Sequence, residues 1–181
     1  MKDIKDVFDC LDEATQRHSY SCYDRAIKYA STHCSDDLLL NLPIACLYHD
    51  VGKIDYLDLV TECGPLTESE RHLINYHPIN SYLICKEYGL DEHICKGVLL
   101  HHDPNMKFIA KLLDEHPHIN SNVLKGVTAA DIELATCISM IDITDALLEN
   151  RPYRKSMSYR DASVIFANNF PDRAFEFINI A

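Results

Sequence analysis

The residues best suited to chemistry in this sequence are its histidines, of which there are ten among 181 residues. Six of them stand beside a predicted turn or helix end, where a neutral imidazole can serve as a ligand of a transition metal. These candidates are His18, His49, His72, His77, His101 and His102. The other four lack supporting neighbours and are interpreted as surface or loop residues; they are His33, His93, His116 and His118.

Two aspartates accompany these histidines. Asp50 directly follows His49, and adjacent helical residues point about 100° apart. The pair is therefore suited to two neighbouring ions, with the Asp50 carboxylate bridging them. Asp142 lies in an otherwise apolar helical stretch, and two interpretations are open for it. It could lie on a solvated stripe with Asp145 and Glu149, or it could point inward and bind a cation that offsets the cost of burying its charge.

A cluster of imidazoles and carboxylates favours certain metals over others. Such a ligand set suits iron, manganese, zinc or nickel better than magnesium or calcium, which prefer oxygen ligands. Two such ions can lower the pKa of a bound water to about 7 and hold a phosphate. Lys53 lies four residues after His49 and could reach that phosphate, although it could also be an ordinary surface lysine. The sequence thus predicts two divalent ions, with iron or manganese expected first.

The elements that must position these residues are helices. Capping and breaker residues divide the chain into about eight of them, and no strand pattern is present. A helix is expected to open at Asn41 and Pro43 and to end at Gly52, with His49 and Asp50 at its buried end. Thr67 begins a capping box, and a further helix runs from Pro78 to Gly89.

The second half of the chain follows the same pattern. Asp91 is expected to cap a helix that stops by Asp103, because the residue before a proline is pushed out of helical geometry. The region from 106 to 130 is the least regular. One long helix is predicted from Asp131 to Leu148, with Leu134, Ile138, Ile141 and Leu148 facing the core. Ser158 and Pro171 begin two closing helices.

The composition predicts one all-α globular domain that spans residues 1–181. The hydrophobic share is 47% and the charged share 25%, with 5 Gly and 7 Pro, values typical of a helical globular protein. A net charge of −11 disfavours duplex nucleic acid as a partner, whereas bound cations would still admit a small phosphorylated ligand. No stretch resembles a signal peptide or a membrane span, which predicts a soluble, cytoplasmic protein. The eight cysteines are interpreted as reduced thiols, mostly buried.

Several separated motifs occur in a fixed order along the chain. They are His49-Asp50-x-Gly52-Lys53, Gly64-Pro65-Leu66-Thr67-x-x-Glu70, His77-Pro78, His101-His102, Asp142-x-x-Asp145-Ala146-Leu147 and Arg151-Pro152-Tyr153-Arg154. This set resembles the HD-GYP branch of the HD phosphohydrolases from about His18 to Ala162. The resemblance implies a helical HD-domain bundle with two or three metals. It also implies hydrolysis of a cyclic dinucleotide, usually cyclic di-GMP, by a hydroxide that bridges the metals.

The resemblance assigns a role to each motif residue. Asp50 and Lys53 would be the catalytic residues, with Lys53 contacting the scissile phosphate. Arg151 and Arg154 would hold the phosphates of the ligand, a role compatible with stabilising the C-terminal end of the long helix. The implied metal ligands are His18, His49, Asp50, His77, His101, His102 and Asp142.

Several positions depart from the family pattern, among them Glu62 and Cys63, which replace a Lys-Pro pair before Gly64. Ala14 occupies the position of the glutamate that adds a third metal in some members, which favours two metals. Ser21 stands where an arginine often follows the first histidine. The segment 103–106, Asp-Pro-Asn-Met, replaces the Gly-Tyr-Pro loop that helps to shape the nucleotide pocket. Substrate identity is therefore the least determined part of the resemblance.

Three alternatives to a cyclic-dinucleotide phosphodiesterase remain open. The chain could be an HD-superfamily phosphohydrolase acting on a different nucleotide, or a di-iron oxygenase, which shares the His-Asp ligand set. It could also be a non-catalytic nucleotide-binding signalling module. A signalling partner or a homo-oligomer is compatible with each of them.

Overall fold

A computed structural model describes residues 3–33, 36–61, 66–115, 121–150 and 155–181, which form helices joined by turns, with no β-strand among them. The predicted all-α class is confirmed. The 3-10 segments are Val51–Tyr56, Ser121–Leu124 and Pro171–Glu176. The α-helices are α1 (Ile4–Phe8), α2 (Glu13–His33), α3 (Asp36–Tyr48), α4 (Leu57–Thr61), α5 (Glu68–Ile74), α6 (His77–Glu87), α7 (Glu92–Leu100), α8 (Lys107–Glu115), α9 (Ala129–Leu148), α10 (Tyr159–Asn169) and α11 (Phe177–Ile180).

Several helices begin at the predicted capping residues. The hydroxyl of Thr67 accepts a hydrogen bond from the backbone N–H of Glu70, and the Glu70 carboxylate accepts one from the backbone of Thr67, which completes a capping box at α5. The side chain of Asp91 accepts a hydrogen bond from the backbone N–H of His93 at the start of α7, and that of Ser158 accepts one from the backbone N–H of Asp161 at the start of α10. Each cap satisfies N–H groups that the first helical turn leaves without a partner.

The helix that leads to His49 differs from the prediction. It begins at Asp36, and Pro43 lies inside it rather than at its start. It ends at Tyr48, and Gly52 lies in the 3-10 segment that follows rather than closing the helix. A Cβ atom on Gly52 would lie 2.3 Å from the backbone nitrogen of Ser81 and 2.4 Å from the carbonyl oxygen of His77. The glycine is thus needed for backbone contact between this segment and α6.

We expect the substitution Gly52→Ala to destabilise the protein. The added methyl group would meet backbone atoms that cannot rotate away, so the loss in unfolding free energy should reach the upper end of roughly 1–3 kcal/mol. Urea denaturation of the metal-free protein measures it. Gly89→Ala is the matched control, because that position has open space and only the strain of a φ of +77°. An equal or smaller loss at Gly52 would contradict the close-packing argument.

Two helices, α4 and α8, have no counterpart among the predicted ones. The region expected to be least regular contains α8, whose Ile109, Leu112 and Leu113 are buried. The carboxylate of Asp103 accepts hydrogen bonds from the backbone N–H groups of Phe108, at 2.5 Å, and Ile109, at 2.9 Å. The residues that follow His102 therefore turn directly into this amphipathic helix.

The core is organised around α9, which packs against α2, α3, α7 and α10. Three of its predicted core residues, Leu134, Ile138 and Ile141, are fully buried, whereas Leu148 is only half-buried. This burial fixes the rotation of α9 about its axis. It thereby determines the direction in which Asp142, the residue after Ile141, points.

The described cysteines fit the predicted role of small buried residues. Cys10 is exposed, and the buried free thiols are Cys22, Cys46, Cys85, Cys95 and Cys137. Cys34 and Cys63 lie outside the described residues. Among the helices of the described ranges, none combines the length and the apolar character needed to cross a bilayer.

Candidate metal centre

Seven side chains from separate parts of the fold meet in one cluster. They come from α2, from the residues directly after α3, from the start of α6, from the residues directly after α7, and from α9. Together with a thiol they form three overlapping groups, within each of which the potential ligand atoms lie within 4.8 Å of one another. The seven are the predicted ligands His18, His49, Asp50, His77, His101, His102 and Asp142.

Three of the histidines are oriented by the chain that precedes them. The Nδ1 atom of each ring bonds to the backbone carbonyl three residues earlier, at 2.8 Å for His49, 2.7 Å for His77 and 2.6 Å for His101. A carbonyl oxygen can only accept, so Nδ1 carries the proton and Nε2 presents a lone pair. These Nε2 atoms are buried and have no hydrogen-bond partner. An orphaned buried polar atom is costly, and three of them facing one cluster fit a cation site.

The Asp50 carboxylate faces these lone pairs from inside the cluster. Its Oδ1 lies 3.2 Å from Nε2 of His77, and its Oδ2 lies 3.5 Å from Nε2 of His49. Two acceptor atoms at such distances repel each other unless a proton or a metal ion lies between them. The arrangement places Asp50 between two sets of imidazoles, as a bridging carboxylate requires.

Burial keeps the imidazoles next to Asp50 neutral. It lowers the pKa of His77 to about 4 and holds the pKa of His101 well below its usual value. It also lowers the pKa of His49, despite the opposing attraction of Asp50. Neutral rings are the form that binds metals.

Lys53 lies at the edge of the cluster, where 20% of its side chain is exposed. Its Nζ donates a hydrogen bond of 2.6 Å to Oδ2 of Asp50. Burial would raise the pKa of Asp50, but the positive charge of Lys53 holds that pKa well below its ordinary value. The Asp50 carboxylate is therefore ionised, as a metal ligand must be.

Asp142 points into the cluster. Its Oδ1 lies 2.9 Å from Nε2 of His18, and the other ring nitrogen of His18 lies 2.6 Å from Oδ2 of Asp145. The alternative interpretation placed Asp142, Asp145 and Glu149 on one solvated stripe of the helix. Only the Glu149 side chain is solvated, at 54% exposure, whereas that of Asp145 is 1% exposed. Burial would lower the pKa of His18, but its bonds to the two carboxylates raise it to about 9. The protonated His18 ring thus bridges the two carboxylates, and a metal held by His18 and Asp142 would replace the proton between those two groups.

Asp145 has further partners that the sequence does not reveal. Its Oδ1 accepts a hydrogen bond from Nε of Arg25 at 3.1 Å and another from the hydroxyl of Ser21. Ser21 and Arg25 are four residues apart on the same face of α2, so both reach this carboxylate. The same guanidinium also donates to the backbone carbonyls of Ile180 and Ala181, each at 3.1 Å.

We expect Asp145→Asn to weaken metal binding about 10- to 100-fold, the range typical of groups that orient a ligand histidine. An amide in this position cannot balance the charge of Arg25 and orient the His18 ring equally well. Competition with a metallochromic chelator measures the affinity. Glu149→Gln is the matched control, because Glu149 also contacts Arg25, at 3.7 Å, but not His18. Unchanged affinity in Asp145→Asn, or equal weakening in the control, would contradict this role.

Some of the predicted site residues lie elsewhere or outside the described ranges. His72 is 54% exposed on α5 beside Glu115, so its assignment as a candidate ligand is wrong. The prediction of His93 as a surface or loop residue is also wrong. It lies on α7, is half-buried, and its Nδ1 lies 2.7 Å from Oδ1 of Asp131. Outside the described residues lie Arg151, Arg154, His116, His118, Gly64 and Pro65.

Cys22 is a member of the cluster that the sequence analysis does not single out. Its Sγ lies 3.7 Å from Nδ1 and 3.8 Å from Nε2 of His18. It belongs to the same group of potential ligands as His18, His49 and Asp142. Burial raises the pKa of the thiol well above its ordinary value. The signal that could have revealed it is its spacing, because residues four apart share one face of a helix.

The fold is that of a known family. The family model for the HD domain matches residues 15–147, and the chain belongs to that family. A curated relative, the cyclic di-GMP phosphodiesterase PA4108 of Pseudomonas aeruginosa, is 26% identical over 155 residues, which are 83% of this chain and 34% of the relative. The chain thus spans about a third of the length of the curated relative that it matches.

Solved structures support the same fold. The HD domain of the phosphodiesterase PgpH from L. monocytogenes, in complex with cyclic-di-AMP, has a TM-score of 0.65 at 20% identity and covers 98% of this chain and 91% of its own. A second structure of that domain gives a TM-score of 0.65 at 17% identity, covering 98% and 92%. The predicted HD-domain helical fold is confirmed by this likeness.

Proposed function

We propose that this chain is a metal-dependent phosphodiesterase that hydrolyses a cyclic dinucleotide. The observation that carries the proposal is the convergence of buried imidazole nitrogens, three of them without a hydrogen-bond partner, on the ionised carboxylate of Asp50. Such an arrangement is costly in the absence of a cation. It is well suited to a reaction in which negative charge accumulates on phosphoryl oxygens.

Two divalent ions would fit this cluster. His18, His49 and Asp142 would hold one ion, His77, His101 and His102 would hold the other, and Asp50 would lie between them. Iron or manganese is our first expectation, and zinc or nickel also suits the ligand set. When bound, the ions would supply an acidified water and positive charge beside the phosphate.

The remaining roles fall to side chains at the edge of the cluster. Lys53 is partly exposed and carries a positive charge next to Asp50, so it is placed to exchange that contact for an oxygen of the scissile phosphate. His102 is 40% exposed and lies at the same edge. Arg151 and Arg154 would hold the phosphates of the ligand through charged hydrogen bonds.

The substrate class is supported by the relatives. PA4108 is a cyclic di-GMP phosphodiesterase, and the PgpH domain was solved with cyclic-di-AMP. The residues after His102 lead directly into α8 instead of a Gly-Tyr-Pro loop. We therefore propose a cyclic dinucleotide without specifying its bases.

A hydrolysis screen tests the proposal. Protein loaded with Mn(II) or Fe(II) is incubated with cyclic di-GMP, cyclic di-AMP, a mixed cyclic dinucleotide, linear dinucleotides and mononucleotides, and the products are separated by chromatography. We expect at least one cyclic dinucleotide to be opened to its linear form, and no turnover after chelation.

Other outcomes would replace the proposal. Turnover of mononucleotides alone would indicate a phosphohydrolase of different specificity. Binding of a cyclic dinucleotide to metal-loaded protein without turnover would indicate a signalling module. Oxygen consumption by the iron-loaded protein without phosphate chemistry would indicate an oxygenase.

A further inference from the structure

Cys22 lies deep in the protein, 1% exposed, on the face of α2 that carries His18. Its Sγ is within 4.8 Å of the potential ligand atoms of His18, His49 and Asp142, which come from α2, from the end of α3 and from α9. Ligands on opposite sides of one cation are separated by about 4.0–4.6 Å when metal bonds measure about 2.0–2.3 Å. Small side-chain movements would therefore bring all four groups onto one ion.

A second observation points to a ligand at this position. Nε2 of His49 belongs to the same group, is buried and has no hydrogen-bond partner. Its ring is held by the bond from Nδ1 to the Cys46 carbonyl, so Nε2 cannot turn away to find one. A vacant lone pair and a thiol thus converge on the carboxylate of Asp142.

Cys22 differs from the other buried cysteines because it lies beside potential metal ligands. Within the described part of the chain, Cys46, Cys85, Cys95 and Cys137 are also buried, but none of them belongs to a group of potential ligands. The charge balance favours a thiolate as well. Two divalent ions bring four positive charges, whereas Asp50 and Asp142 offset only two of them, so a thiolate would add a third negative charge.

We propose that Cys22 is a thiolate ligand of the ion held by His18, His49 and Asp142. This inference rests on the proposed function, since it requires the metal centre. On binding, the S–H bond breaks, the proton leaves to water, and the sulfur donates its electron pair to the cation. A soft sulfur ligand favours zinc over manganese. With Cys22 as a ligand, this site would therefore prefer zinc more strongly than a site made of histidines and carboxylates alone.

X-ray absorption spectroscopy of the zinc-loaded full chain tests the proposal. We expect a sulfur shell at about 2.3 Å in addition to nitrogen and oxygen at about 2.0–2.2 Å, with about one sulfur for every two zinc ions. The shell should be lost in Cys22→Ala and retained in Cys85→Ala, a buried cysteine outside the cluster. Zinc affinity should fall about 10-fold or more in Cys22→Ala, while manganese affinity changes much less.

The outcomes separate this inference from the proposed function. Wild-type protein that binds zinc without a sulfur shell would overturn the inference and leave the phosphodiesterase proposal intact. A sulfur shell that persists in Cys22→Ala would also overturn it. Folded wild-type protein that binds no zinc, iron or manganese would overturn both. The wild-type spectrum decides even if Cys22→Ala does not fold, and Cys22→Val, which fills more of the vacated volume, then serves as the second variant.

Discussion

Replacing Asp50 with asparagine is expected to reduce hydrolysis by more than about 100-fold. Groups that merely orient a ligand already contribute 10- to 100-fold, and Asp50 lies between both sets of imidazoles. An amide cannot supply the negative charge that two cations share. The substitution also removes the partner of Lys53. Initial rates at saturating cyclic dinucleotide and a fixed concentration of Mn(II) measure the effect.

The control for this experiment is Asp58→Asn, which changes an exposed aspartate on α4 in the same way. It should leave the rate within about twofold, because surface substitutions away from special features have small effects. Circular dichroism would verify that both variants are folded. Activity in Asp50→Asn close to that of Asp58→Asn would exclude Asp50 from the catalytic machinery and remove the basis for a bridging carboxylate.

Divalent metal should stabilise the wild-type protein strongly. We expect about two ions per chain, and a ligand at 100 times its Kd contributes about 2.7 kcal/mol. For a chain of this length, each kcal/mol raises the Tm by about 2–4 °C, so one saturated site should add roughly 5–11 °C. The two ions would provide partners for the Nε2 atoms of His49, His77 and His101, which have no hydrogen-bond partner. Scanning calorimetry before and after chelation measures the shift, and elemental analysis gives the stoichiometry.

Two histidine variants sharpen this test. His101→Ala removes a buried ring with an orphaned Nε2, and it should lose most of the metal-induced shift. His72→Ala removes an exposed ring outside the cluster, and it should retain the full shift. A folded wild-type protein with negligible metal content and no response to added Mn(II), Fe(II) or Zn(II) would remove the metal centre from consideration.

Much of the helical framework could be predicted because its signals are local in sequence. Thr67, Asp91 and Ser158 cap the helices that they were expected to cap. The apolar periodicity of α9 predicted the burial of Ile138 and Ile141. The inward direction of Asp142, which lies four residues after Ile138 and directly after Ile141, was left open because one helix alone does not determine what its neighbours offer.

The errors arise where tertiary packing overrides a local rule. Pro43 was expected near the start of a helix, but α3 begins seven residues earlier, at Asp36. Gly52 looked like a helix end, but close contact with α6 explains it. Arg25 could not be linked to Asp145 from the sequence, since 120 residues separate them.

The bonds from Nδ1 to a carbonyl three residues earlier make the three rings independent of one another. His49, His77 and His101 are each aligned by their own stretch of backbone, so their orientation does not depend on distant side chains. Substitutions in the loops around the cluster should therefore leave the alignment of these three rings intact. The segment after His102 could change in length or sequence without turning any of the three Nε2 atoms away from the centre.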